Sequence, residues 1–202
     1  MVDYWKDQPG TAVNIVDKLL NYQIVTPIGV VQWALGSGGR LGAGEALADS
    51  WLYEMVAGTV GKVTNRVRQI VAARVQAQGR LADEQVVLLD ETLIKERDAM
   101  RQLFAVIEDT VGGVAHGASD AFIEADGAKG FGEEEGGLIK GWGQRWARVF
   151  RRKGAVEEAV VGEAAVGAAV EAAAAMAAAS VPAVENGQAA EADYDGDHDL
   201  IS

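Results

Sequence analysis

Three features of this 202-residue sequence predict an all-α fold. Only Pro9, Pro27 and Pro182 are prolines, so no ring blocks a helix between the last two. Alanine is abundant, and β-branched residues rarely alternate with polar ones, which favours helix over strand. Apolar residues recur at three- and four-residue intervals over long stretches, the period of one helix face.

The first helix is predicted to begin near Thr11, a capping residue. It carries Ile15, Val16, Leu19 and Leu20, and closes at Asn21-Tyr22. Thr26-Pro27 reads as the N-cap and first position of a second helix, where a missing N–H costs nothing. That helix bears Val30, Val31, Trp33 and Leu35 and ends at Gly36, before a Gly-Ser-Gly-Gly connector. A longer helix starts between Gly44 and Asp49. Its stripe of Val56, Val60, Val63, Val67, Ile70, Arg74 and Ala77 alternates four- and three-residue steps, as in a supercoiled pair. Gly79 marks a turn and Asp83 can cap the next helix. There Val86, Leu89, Leu93, Met100, Phe104, Ile107, Val111 and Val114 continue the pattern, with one seven-residue interval. So short a connection makes the two arms antiparallel neighbours.

Charge separates the arms. Residues 55–82 carry +5 with no acid, and residues 83–110 carry −5. Exposed pairs contribute about 0–1 kcal/mol each, so the apolar seam holds the arms and the charges select partner and register. Residues 112–137, with Gly112-Gly113 and Glu133 to Glu135 followed by Gly136-Gly137, have the composition of a mobile loop. A fifth helix is expected from Leu138 to Arg152. Ile139, Trp142, Trp146, Val149 and Phe150 form its apolar face, while Lys140, Arg145, Arg148, Arg151, Arg152 and Lys153 are basic. Residues 155–179 form a further helix by propensity, and the last twenty are disordered by composition. The domain division expected is 11–153 as the helical domain, 154–180 as an Ala-rich helix and 181–202 as an acidic tail.

The chain carries −12 overall, of which residues 154–202 hold −10. The acidity is thus a property of the tail, which repels nucleic-acid phosphate. No cysteine is present, hence no disulfide and no thiolate chemistry. No secretory signal is visible at Met1, and the Ala-rich stretch 164–179 is interrupted by Glu171, so no membrane association is expected.

Several segments imitate chemical motifs. Gly39 and Gly44 have phosphate-loop spacing, but Glu45 stands where the phosphate-binding lysine belongs. In Asp193–Asp199 a calcium loop needs its glycine where His198 stands, two places after Gly196, and the bidentate Glu would fall beyond Ser202. The only histidines are His116 and His198, and no second His or Cys stands at helical spacing from His116, which argues against a metal or a catalytic triad. Glu108-Asp109 reads as a solvated helix face. No cofactor, small-molecule substrate or enzymatic activity is expected. The basic helix keeps two readings. Its Arg and aromatic residues interleave as on RNA-binding surfaces or localisation signals, or else Trp142, Trp146 and Phe150 dock in the core with the cations solvated.

Two blocks, VDKLLNYQIVTPIGVVQWAL (Val16–Leu35) and WLYEMVAGTVGKVTNRVRQIV (Trp51–Val71), are followed by LLDETLIKERDAMRQLFAVIED and WGQRWARVFRRK. In that order they resemble the C-terminal portion of the large subunit of the nuclear cap-binding complex, in a fungal form, over residues 11–161. The resemblance implies a helical-repeat (α-solenoid) segment from the third of three domains similar to the middle domain of initiation factor 4G. It further implies a scaffold that orders a small RNA-recognition-motif subunit, which stacks the 7-methylguanosine cap. Capped RNA is then an indirect partner, and no cap-contacting residue carries over. The hairpin would correspond to a coiled-coil projection of the family. Location would be the nucleus with shuttling to the cytoplasm, in splicing, 3′-end processing, export and nonsense-mediated decay. The family's earlier repeats are absent here, which implies a fragment or a truncated gene product, because stacked repeats bury their faces against neighbours. The alternative is a free-standing coiled-coil interaction protein with a basic RNA-binding or localisation helix.

Overall fold

The computed structural model describes residues 5, 7–36, 43–77, 80–117 and 132–179. They form seven helices: α1 (Pro9–Asn21), α2 (Pro27–Leu35), α3 (Ala43–Ala46), α4 (Ser50–Gln76), α5 (Asp83–His116), α6 (Glu133–Val161) and α7 (Glu163–Ala179). No strand occurs among the described residues. The acidic tail, the calcium-loop imitation and Gly79 lie outside them, as do residues 37–42 of the glycine-rich connector.

Pro9 occupies the first turn of α1, which therefore starts two residues before Thr11. After Tyr22, Gln23 takes a left-handed φ of 57°. Gln23 N–H then bonds Leu20 O and Ile24 N–H bonds Leu19 O. This Schellman closure satisfies the last carbonyls of α1 and turns the chain into α2. There Thr26 Oγ1 accepts from Gly29 N at 3.1 Å, the cap predicted from sequence.

The hairpin of α4 and α5 forms as the apolar spacing requires. Val56, Val60 and Val67 are fully buried, with Leu93, Met100, Ile107, Val111 and Val114 facing them in one core cluster. Asp83 is the first residue of α5 rather than its cap; Ala82 holds that place and offers no side-chain acceptor. The charges do more than pair the two arms. Arg66–Glu96 and Arg74–Asp90 bridge α4 to α5, but Lys62 reaches Asp17 of α1 and Arg68 reaches Glu157 of α6.

The helices continue where glycine content predicted a loop. α5 runs through Gly112-Gly113 to His116, and α6 begins at Glu133. Each interior glycine costs about 1 kcal/mol of propensity, but burial of Val111, Val114 and Ala115 against α6 outweighs it. Glu133, Glu134 and Glu135 sit on the positive end of the α6 dipole, and Glu135 accepts from Gly132 N. The helix also runs on through Lys153-Gly154 to Val161, so the expected boundary at 153 and 154 falls inside it.

α5 packs more extensively on α6 than on α4, so the hairpin is two sides of a layered bundle. Two glycines explain the close contact. A Cβ at Gly143 would lie 2.8 Å from Ala115 N, and one at Gly154 would lie 3.3 Å from the Phe104 ring. Gly143→Val is therefore expected to force α5 and α6 apart and lower stability by about 1–3 kcal/mol. Gly141→Ala, with open space around it, should be neutral or stabilising. A urea midpoint for Gly143→Val no lower than for Gly141→Ala would refute this account.

α7 packs on α4, burying Val166. By length and composition the run from Glu133 to Ala179 is apolar enough to cross a membrane. The extended backbone at Gly162 divides that run, and the 17 residues of α7 stand at the lower end of the roughly 17–25 that a span needs.

Candidate functional site

α6 positions the sequence-predicted cations, because it shows three different faces. At 100° per residue, Ile139, Gly143, Trp146, Phe150, Glu157 and Val161 share one arc, and all are buried. Lys140, Arg145, Arg148, Arg151 and Arg152 fall on the opposite side and are exposed. Lys153 does not join them: one further step around the helix turns it towards the core side, where it is half-buried.

The third face was not anticipated. Leu138, Trp142, Val149, Val156 and Val160 lie within about 40° of one another around the helix, and all are exposed. Trp142 and Val149, expected on the core face, stand in this stripe. Trp146 alone of the two tryptophans enters the core, donating from Nε1 to Leu47 O at 3.1 Å and meeting Tyr53 edge-on at 5.1 Å. Trp142 instead lies under the guanidinium of Arg145, 5.4 Å from ring centre to Cζ.

The cations line a cleft of about 730 Å³ between α6 and the C-terminal end of α5, bordered by Gly112, His116, Lys140, Arg148, Arg151 and Arg152. Arg151 is occupied, holding Glu108 at 2.7 and 2.9 Å. Lys140, Arg148 and Arg152 make no ion pair with any described residue. His116 Nδ1 lies 2.6 Å from Gly112 O, a contact that needs its proton on Nδ1. Chemically this surface can attract phosphate or carboxylate. No group of three His, Cys, Asp or Glu that could hold a metal exists among the described residues.

The other end of α6 is a clamp that sequence reasoning missed. Buried Glu157 takes a bidentate bond from Arg68, at 2.8 and 3.0 Å. Arg97, with its side chain 4% exposed, donates from Nε to Val161 O at 2.8 Å. It thereby satisfies a carbonyl left over at the helix end. Arg101 grips Glu158 through two bonds. Glu157 and Glu158 are thus part of the fold and not of a solvated acidic tail.

The Arg101 hydrogen bond, more than its charge, holds the Glu158 carboxyl below the ordinary glutamate value of 4.5. A carboxylate depressed on folding stabilises above its unfolded value, and that contribution is lost as pH falls through the folded one. Stability is therefore expected to fall below about pH 4.5, less steeply in Glu158→Gln than in the parent. Identical acid limbs in the two proteins would discount the pair. Solvent screening keeps the effect small at this exposed site.

The profile of MIF4G-like domains matches residues 1–159, most of the chain, stopping two residues before the end of α6. The chain belongs to the MIF4G-like family. The MIF4G-like match carries a helical scaffold-type fold, similar to the middle domain of initiation factor 4G, and it covers α1 to α5 and nearly all of α6. Searches of curated proteins and of solved structures gave no match.

Proposed function

We propose that this MIF4G-like chain is a scaffold segment of the large subunit of a nuclear cap-binding complex. In this reading it supports 7-methylguanosine cap binding by a small RNA-recognition-motif subunit, in the processing, export and decay of capped transcripts. The observation that carries the reading is block order within a MIF4G-like bundle. The four resembling blocks fall on α1–α2, α4, α5 and α6; α2, α4, α5 and α6 share the main core, and α1 packs on α4 through a smaller cluster of Val16, Val30 and Met55. The absence of a cap-stacking role for this chain follows from the same resemblance, so its partner must supply the cap pocket.

A full-length version of this protein is expected to co-purify with the small subunit, and a cap analogue should strengthen the complex. A full-length protein that never co-purifies with that subunit would remove the proposal. A second reading is favoured by the α6 cleft, where Lys140, Arg148 and Arg152 stand exposed without carboxylate partners among the described residues. On that reading the bundle contacts RNA phosphate directly through α6. Binding to single-stranded RNA should then weaken steeply with salt, and Arg148→Gln with Arg152→Gln should flatten the dependence.

A further inference from the structure

We infer that the acidic C-terminal segment of this chain, residues 185–199, docks on the basic face of α6 and screens it from other polyanions. Only the choice of RNA as the competing polyanion rests on the second reading above. Charge complementarity favours this docking. Lys140, Arg145, Arg148 and Arg152 are exposed on one side of α6, within about 18 Å of helix. The segment contains Glu185, Glu191, Asp193, Asp195, Asp197 and Asp199 and no Lys or Arg. Exposed pairs are individually weak, but a tethered partner binds its own chain at high effective concentration.

The apolar stripe of α6 suits the same segment. Leu138, Trp142 and Val149 adjoin Arg145 and Arg152 around the helix, so cations and apolar groups form one continuous surface. The segment has the matching mixture: Tyr194 lies among the aspartates and Leu200-Ile201 follow them.

α7 ends at Ala179, 27 residues after Arg152, which puts them at most about 41 Å apart along helical paths. Asp193 lies 14 residues beyond Ala179, a chain that extends to about 46–50 Å. Asp193 to Asp199 can therefore meet Arg152, Arg148 and Arg145 without any change in the bundle.

The 202 residues contain no cysteine, so Ser202→Cys gives this chain a single site for a nitroxide. Paramagnetic broadening is expected at the amides of Arg145–Arg152 and the indole of Trp142. It should vanish at about 1 M NaCl, where the Debye length is near 3 Å, and in the R145Q/R148Q/R152Q variant. Those three side chains are exposed, so an unchanged circular-dichroism melt confirms that the variant still folds. Broadening that is absent, spread evenly, or unchanged in the triple variant overturns the proposal. Oligouridylate titrated into the labelled protein separates the two ideas. If RNA binds while no broadening was present, the docking fails and the RNA reading stands. If broadening is present and RNA binds neither the parent nor D193N/D195N/D197N/D199N, the docking stands and the RNA reading fails. Where both hold, D193N/D195N/D197N/D199N should bind the RNA about three- to tenfold more tightly.

Discussion

Trp146→Ala is expected to destabilise the protein by about 3–5 kcal/mol. The indole is 4% exposed and sits where α6 crosses the turn after α3. Truncation leaves a cavity bounded by Tyr53 and Phe150, whose rings it now meets at 5.1 and 5.8 Å. The Leu47 carbonyl also loses its donor. For a domain of this size, such a loss lowers the melting temperature by about 6–20 °C. Trp146→Phe keeps most of the ring packing and loses the hydrogen bond, so it should cost about 1–3 kcal/mol. Urea unfolding of the three proteins checks the order. A Trp146→Ala midpoint close to the parent's would mean that α6 does not dock through this residue.

Arg97→Ala is the second large effect, at about 2–4 kcal/mol. The buried guanidinium meets the Val161 carbonyl at the end of α6, and Val161 itself is fully buried. Arg97→Met, which roughly keeps the volume, should still cost about 1–3 kcal/mol because the Val161 carbonyl is left without a donor. If Arg97→Met unfolds like the parent, the carbonyl is satisfied by another route and the clamp is not what ends α6. The partner Glu163 is largely exposed, so Glu163→Gln should change stability little.

The Arg97 clamp was hidden in a pattern the sequence displays. The seam of α5 shows an interval of seven between Leu93 and Met100, and Arg97 occupies the skipped position. A charge inside an otherwise apolar seam signals a buried partner. Glu157 gives the same signal, standing in the arc of Trp146, Phe150 and Val161 on α6. What the sequence withheld was the identity of each partner. Arg68 and Glu157 are 89 positions apart, and Arg97 and Val161 are 64 apart. No local period connects them.

Gly112-Gly113 and the Glu133–Gly137 run misled for a related reason. Propensity treats glycine as a helix breaker, a matter of about 1 kcal/mol per residue. The interface of α5 and α6 outweighs that cost, and at Gly143 it requires the missing side chain.

The sequence by itself determined the all-α class, the Thr26-Pro27 helix start, the antiparallel α4–α5 pair and the cationic side of α6. These follow from periods of three and four residues and from capping chemistry, which are local. Only the tertiary structure decided that α5 packs mainly on α6, that Trp142 stays outside while Trp146 goes in, and that Lys153 leaves the basic face. The physical reason is that burial and ion pairing are settled between helices far apart in the chain, where close approach and a shared core outweigh the preferences of any one segment.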